Sequence, residues 1–177
     1  NIPKIRQLAN SIEGEKPNTI QVEKVAQFYF PRTLSLAGSG FEIMPMGVYS
    51  FKLASNNSHV IIDTGYDSEM AASARADFYP TPYARMQSAL ESSTAIVVTH
   101  EHYDHIGGII NSPNLDKLLA KVILTQEQID SPDTIRPRFP EGILDQLTAT
   151  TFTDYKAIAP GIVLIKAAGH TPGSLMI

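Results

Sequence analysis

Strands early in the chain, followed by alternating short strands and helices, predict a layered α/β sandwich. Three observations carry this expectation. Residues 21–30 alternate apolar and polar side chains as a half-buried strand does, and 41–53 read as one or two more strands. Short β-branched apolar runs at 60–63, 94–99 and 161–165 have the composition of buried strands. Helix-like segments fall between the later strands, starting with one at about 82–91.

Each element has a local reason. Ala37-Gly38-Ser39-Gly40 suits a link between the first two strands. Thr81-Pro82 is a good helix start, and Met86, Ala89 and Leu90 then share one apolar face. Residues 115–120 read as helix, 121–124 as strand, and 125–129 as the beginning of a further helix. The segment 131–140 holds three prolines, Pro132, Pro137 and Pro140, and is expected to be mostly irregular. No internal repeat or low-complexity tract is present.

Length and composition describe one globular domain, residues 1–177, large enough to bury a core. The chain is 43% hydrophobic and 18% charged, with a formal net charge of −4. That balance argues against a surface that tracks phosphates, so nucleic acid is not an expected partner. No run approaches the roughly 18 apolar residues of a membrane span, so no membrane partner is expected either. With no cysteine, disulfides, thiolate metal sites and cysteine nucleophiles are all excluded. The first residue is Asn1; an exported, periplasmic location is favoured if that is a processed end.

The chemistry is concentrated in His100-Glu101-His102-Tyr103-Asp104-His105. Three of the chain's five histidines fall in this stretch, with a carboxylate between the second and third. Neutral imidazole and carboxylate are ligands for zinc and its first-row neighbours. If the backbone stays extended through His102, His100 and His102 point to one side and grip one cation. Asp104 and His105 are adjacent and so point differently, towards a second cation. Asp104 also suits the first turn of a short helix. Glu101 and Tyr103 are expected to face away, Glu101 as a structural or solvated residue and Tyr103 as a packing residue. Ile106, Gly107 and Gly108 are expected to break the strand pattern and let the backbone turn.

A first metal site needs about three protein ligands. His170, in Gly169-His170-Thr171-Pro172-Gly173-Ser174 after an apolar run, is the candidate for the third. His59, at the start of a strand, is read as structural.

Ile62-Asp63-Thr64-Gly65, the histidine stretch with its Ile106-Gly107-Gly108 tail, and the Gly-His-Thr-Pro-Gly-Ser element occur in that order. In these residues the chain resembles the metallo-β-lactamase fold superfamily of metal-dependent hydrolases, over roughly residues 20–177. The resemblance implies a layered αββα sandwich. It implies that His100, His102 and His170 hold the first metal, that Asp104 and His105 hold the second, and that Asp63 orders the site from behind. Two zinc ions are expected in the complete site, with iron or manganese as alternatives. A histidine following Asp104 differs from the best-known lactamase class and favours the broader hydrolase family. That family's pattern continues with a metal-bridging aspartate and a final histidine, whereas this sequence ends at Ile177. The expectation is therefore that the chain holds mainly the first half of the sandwich. A second chain or a C-terminal segment would then supply the remaining ligands.

The expected function is hydrolysis of a small-molecule ester, lactone, amide or thioester by a metal-activated water, with Asp104 orienting that water. A phosphoester is also compatible. Two alternatives stand beside it: a mononuclear iron dioxygenase acting on sulfur in the same fold, and an inactive half-domain that keeps only the first metal site. Tyr66, Phe78, Tyr79 and Tyr83, and Arg136, Arg138 and Phe139 further on, are read first as packing or surface residues and second as substrate contacts.

Overall fold

The structure, a computed structural model, describes residues 1–131 and 139–177. Six strands form one mixed sheet and three form another. In chain order the elements begin with α1 (Ile2–Ala9), β1 (Thr19–Pro31), β2 (Ile43–Ala54), β3 (His59–Ile62), α2 (Ser68–Ser73) and β4 (Asp77–Phe78). Then come α3 (Pro80–Ser92), β5 (Ala95–Val97), α4 (Tyr103–Ile110), α5 (Leu115–Leu119), β6 (Val122–Ile123) and α6 (Gln126–Ile129). The last three are β7 (Tyr155–Ala159), β8 (Ile162–Lys166) and β9 (Leu175–Met176). The large sheet runs β4-β1-β2-β3-β5-β6, with β3, β5 and β6 mutually parallel and the others antiparallel. The small antiparallel sheet runs β7-β8-β9.

Side-chain alternation explains the layering. On β3 and β5, Ile61 and Ile96 enter one core with Met86 and Leu90 of α3 and Ile106 and Ile109 of α4. Their neighbours Val60, Ala95 and Val97 enter a second core with Ile162, Leu164 and Leu175 of the small sheet. A strand buried on both faces has no polar side to show, which is why β5 reads as an unbroken apolar run. Helices α3 and α4 therefore lie on one face of the large sheet and β7–β9 on the other, while α1 packs against β7 and β8.

The hairpin strands β1 and β2 are long, paired from Thr19↔Ala54 to Pro31↔Ile43, and the Gly-Ser-Gly link lies at their tip. The stretch 41–53 is one strand, since β2 runs unbroken from Ile43 to Ala54. The glycines after the histidine stretch behave differently from the expectation. Gly107 and Gly108 lie inside α4, not in a turn. Their use is close approach: a Cβ on Gly108 would stand 2.2 Å from the Thr64 carbonyl oxygen, and one on Gly107 would stand 3.0 Å from the Gly65 carbonyl oxygen. Helix α4 thus sits directly on the Asp63-Thr64-Gly65 turn. Elements with weak local signals, α1, α2, β4, β7 and β9, had no sequence expectation. Most of the proline-rich segment 131–140, with Arg136 and Arg138, lies outside the described residues.

Candidate metal centre

Parallel strands β3 and β5 deliver their carboxyl ends to the same edge of the sheet, the usual location of a ligand site in such sheets. Residues 63–65 follow β3 and residues 98–105 follow β5. The two are tied by Asp63 N–H to the Val97 carbonyl (2.9 Å) and Thr64 N–H to the His105 carbonyl (2.7 Å). The backbone does not stay extended to His102 as expected: β5 ends at Val97, and a bend carries residues 99–102 to the start of α4. His100 and His102 nevertheless meet, because the bend turns their rings to face each other edge to face, 4.8 Å between centroids. His170 arrives from the loop between β8 and β9. Its ring stands 4.7 Å from that of His102 and 4.8 Å from that of His100.

Three imidazole nitrogens converge. His102 Nδ1 lies 3.1 Å from His100 Nε2 and 3.1 Å from His170 Nε2. A tetrahedral zinc site with Zn–N of about 2.0–2.1 Å has ligand nitrogens about 3.3 Å apart, close to these two separations, and all three ligand atoms lie within 4.8 Å of one another. The tautomer of His100 also suits a cation. The Thr99 hydroxyl donates to Asp63 (2.9 Å) and so accepts from His100 Nδ1–H (3.1 Å), which leaves Nε2 unprotonated and facing the cluster. Burial first, then the neighbouring His105, His102 and His170 rings, pull His100 down to about 3, so it stays neutral. Burial and His170 also lower His102, against the opposing pull of Asp104 and Glu101. Neutral imidazoles are the protonation state a metal requires.

Asp104 and His105 stand beside this group. Asp104 occupies the first turn of α4, and its carboxylate lies 3.6 Å from His105 Nε2. Asp63, 3% exposed and at φ 59°, accepts from Thr99 N–H (2.7 Å) and from His105 Nδ1–H (2.8 Å). The His105 Nε2 lone pair is thereby directed outward. Burial pulls the His105 pKa down, but the Asp63 hydrogen bond and the charges of Asp63 and Asp104 outweigh it and leave the pKa raised.

All six residues (Asp63, His100, His102, Asp104, His105 and His170) line one cavity of about 430 Å³. Its other wall comes from β1 and β2: Phe28, Phe30, Met46, Tyr49 and Phe51. These wall residues were missed in the sequence, where only the Phe28/Phe30 alternation could have signalled them. The aromatics named in their place belong elsewhere. Tyr66 is 1% exposed and stacks on Tyr103 at 5.7 Å, and Phe78, Tyr83 and Phe139 pack in or against the helical core. His59 caps the opposite end of β3, with its Nε2 2.8 Å from the Ala89 carbonyl, far from the cluster in the sheet.

A family model of the metallo-beta-lactamase superfamily matches residues 44–114. Over those residues, less than half of the chain, the sequence is similar to that superfamily. The partial superfamily match and the histidine cluster together support a metal-dependent hydrolase of that fold. The matched segment contains Asp63 and the histidine stretch but stops short of His170, which the tertiary structure brings to the cluster. Solved structures agree in fold. A quorum-quenching N-acyl homoserine lactone lactonase superposes with a TM-score of 0.70 at 15% identity, covering 93% of this chain and 68% of that one. An N-acyl homoserine lactone hydrolase with N-hexanoyl-L-homoserine at its catalytic metal centre gives 0.68 at 15% identity, covering 92% and 70%. A probable metal-dependent hydrolase from Staphylococcus aureus gives 0.63 at 13% identity, covering 92% and 69%. No curated protein matches the sequence.

Proposed function

We propose that the chain is a hydrolase of the metallo-beta-lactamase fold that cleaves a small acyl ester or lactone at a dinuclear zinc centre. The observation that carries the reading is the convergence of three imidazole nitrogens in a cavity whose facing wall is aromatic and apolar. His100, His102 and His170 would hold the first cation, and Asp104 and His105 the second. A bound divalent cation supplies Lewis acidity to a water and to the carbonyl under attack.

The chain's own residues do the rest. Asp104 orients the attacking water by accepting its hydrogen bond and takes up the proton it loses. Asp63 and Thr99 hold His105 and His100 in the tautomers that present Nε2 to the cavity. Phe28, Phe30 and Met46 offer apolar surface to an acyl chain and keep bulk water from the reacting carbonyl. A similar structure holds an N-acyl homoserine at its metal centre, which supports an acyl substrate with a polar head group.

The test pairs metal analysis with a substrate panel. The purified chain, loaded with zinc, is assayed on N-acyl homoserine lactones, a chromogenic β-lactam and a thioester. Turnover of a lactone, rising with acyl length and scaling with zinc content, is expected. Zinc-loaded protein inactive on the whole panel would overturn the reading. Iron content with oxygen consumption on a thiol substrate would replace it with the dioxygenase alternative.

A further inference from the structure

Glu101 is the one residue of the histidine stretch that is buried, and it does not line the cavity. It is 0% exposed, so of the two expectations, structural or solvated, the structural one holds. A buried carboxylate is costly unless its oxygens are hydrogen-bonded. Both partners come from the other ligand-bearing loop: the Thr171 hydroxyl donates to Oε2 (2.8 Å), and Gly173 N–H donates to Oε1 (3.4 Å). The approach depends on Gly173, because a Cβ there would stand 2.5 Å from Glu101 Oε2 and 2.4 Å from Gln128 Cγ. Gln128, also fully buried, completes the seam by donating to the Gly173 carbonyl (3.0 Å) and the Val98 carbonyl (3.2 Å). Within the loop, Thr171 N–H donates to Ser174 Oγ (3.0 Å). His170 itself is exposed and lies between Gly169 and Pro172-Gly173, so packing holds it less firmly than it holds His100.

We infer that Glu101 is a positioning residue that clamps the residue 169–174 loop through Thr171 and Gly173, so that His170 faces His102 before any cation binds. This rests on the proposed metal-site reading and adds to it a residue that ligates nothing. Loop ordering then occurs on folding and is not subtracted from metal affinity. Outer partners of metal ligands typically contribute 10- to 100-fold to affinity, the scale expected for this clamp.

The experiment uses Thr171→Val, which keeps the shape and removes the donor, with Thr171→Ser as the conservative rescue. Metal affinity is read by competition of a chromophoric chelator for zinc, and loop order by amide hydrogen exchange of the metal-free chain. Thr171→Val is expected to weaken zinc binding about 10- to 100-fold and to accelerate exchange in residues 169–174. Thr171→Ser should stay near wild type on both. Unchanged exchange in Thr171→Val, or Thr171→Ser falling as far as Thr171→Val, overturns the clamp whatever the metal does. Zinc failing to bind the wild-type chain while the exchange result holds overturns the metal-site reading alone. If Thr171→Val does not fold, Glu101→Leu is the substitute, since it removes the acceptors of both the Thr171 hydroxyl and the Gly173 N–H and should release the same loop.

Discussion

The loops that carry His100 and His170 reach the same cluster by different means. Residues 98–105 are held locally. Strand β5 is buried on both faces, α4 begins at Tyr103, and Asp63 binds both Thr99 and His105 from the neighbouring strand end. Residues 167–174 have neither helix nor core side chain around the histidine, and their fixed points are single hydrogen bonds such as Leu175 N–H to the Thr99 carbonyl (2.7 Å). One ligand set is thus a consequence of secondary structure, and the other of a few buried polar contacts. The difference teaches that a histidine need not be buried to be well placed in a cluster, provided something buried holds its loop.

Substitutions can break this comparison at graded strength. His102 bridges the two loops, with one nitrogen 3.1 Å from each partner. Loss of an outer partner costs about 10- to 100-fold in affinity, so His102→Ala should exceed about 100-fold and abolish turnover, checked by elemental analysis and assay. Asp63→Ala comes next. It removes the acceptor for the Thr99 amide and for His105, and an unpaired buried donor costs about 1–3 kcal/mol. Denaturant melts should show that loss, and metal titration should show the second site weakened more than the first.

Gly108→Ala tests the scaffold beneath the first loop. The new Cβ would collide with the Thr64 carbonyl oxygen at 2.2 Å and with Met86. Overpacking of this kind costs about 1–3 kcal/mol, or roughly 2–12 °C in Tm for a chain of this size. Calorimetry reads it directly, and the His170 loop should keep its hydrogen-exchange protection.

The smallest effect is expected at Glu127, whose pKa is lowered chiefly by its hydrogen bond to Lys166 at the start of the second loop. A carboxyl depressed in the folded state adds stability above its unfolded pKa and loses it as pH falls through the folded value. Glu127→Gln should therefore cost little at neutral pH, at most about 0.5 kcal/mol for so exposed a pair. The difference from wild type should vanish in acid, as a pH series of melts would show.

How far the sequence could be read follows the same division. Runs such as 94–99 announced buried strands because both faces of β5 are covered and no polar residue interrupts them. The short elements β4 and β9 left no mark, because two-residue pairings owe their existence to the strands beside them. Glu101 and Gly173 were equally opaque: nothing in either local segment says that a carboxylate and an amide from remote loops will be buried together. The aromatic wall from β1 and β2 was missed for a related reason. Strand alternation tells which residues share a face, but not which end of the hairpin curls over the site.

From the sequence by itself came the layered α/β class, the expectation that His100 and His102 would share one cluster with His170 and the helical placement of Asp104. The first and last depend on neighbours along the chain, where strand or helix periodicity is written directly, and the cluster on ligand spacing and the roughly three ligands a metal site needs. Only the tertiary structure decided that a bend, not an extended strand, joins His100 to His102, and that Gly107 and Gly108 seat α4 on the Asp63 turn. It also decided that a buried glutamate ties the two ligand loops together. Those outcomes depend on contacts between segments tens of residues apart, which exist only once the two cores have closed.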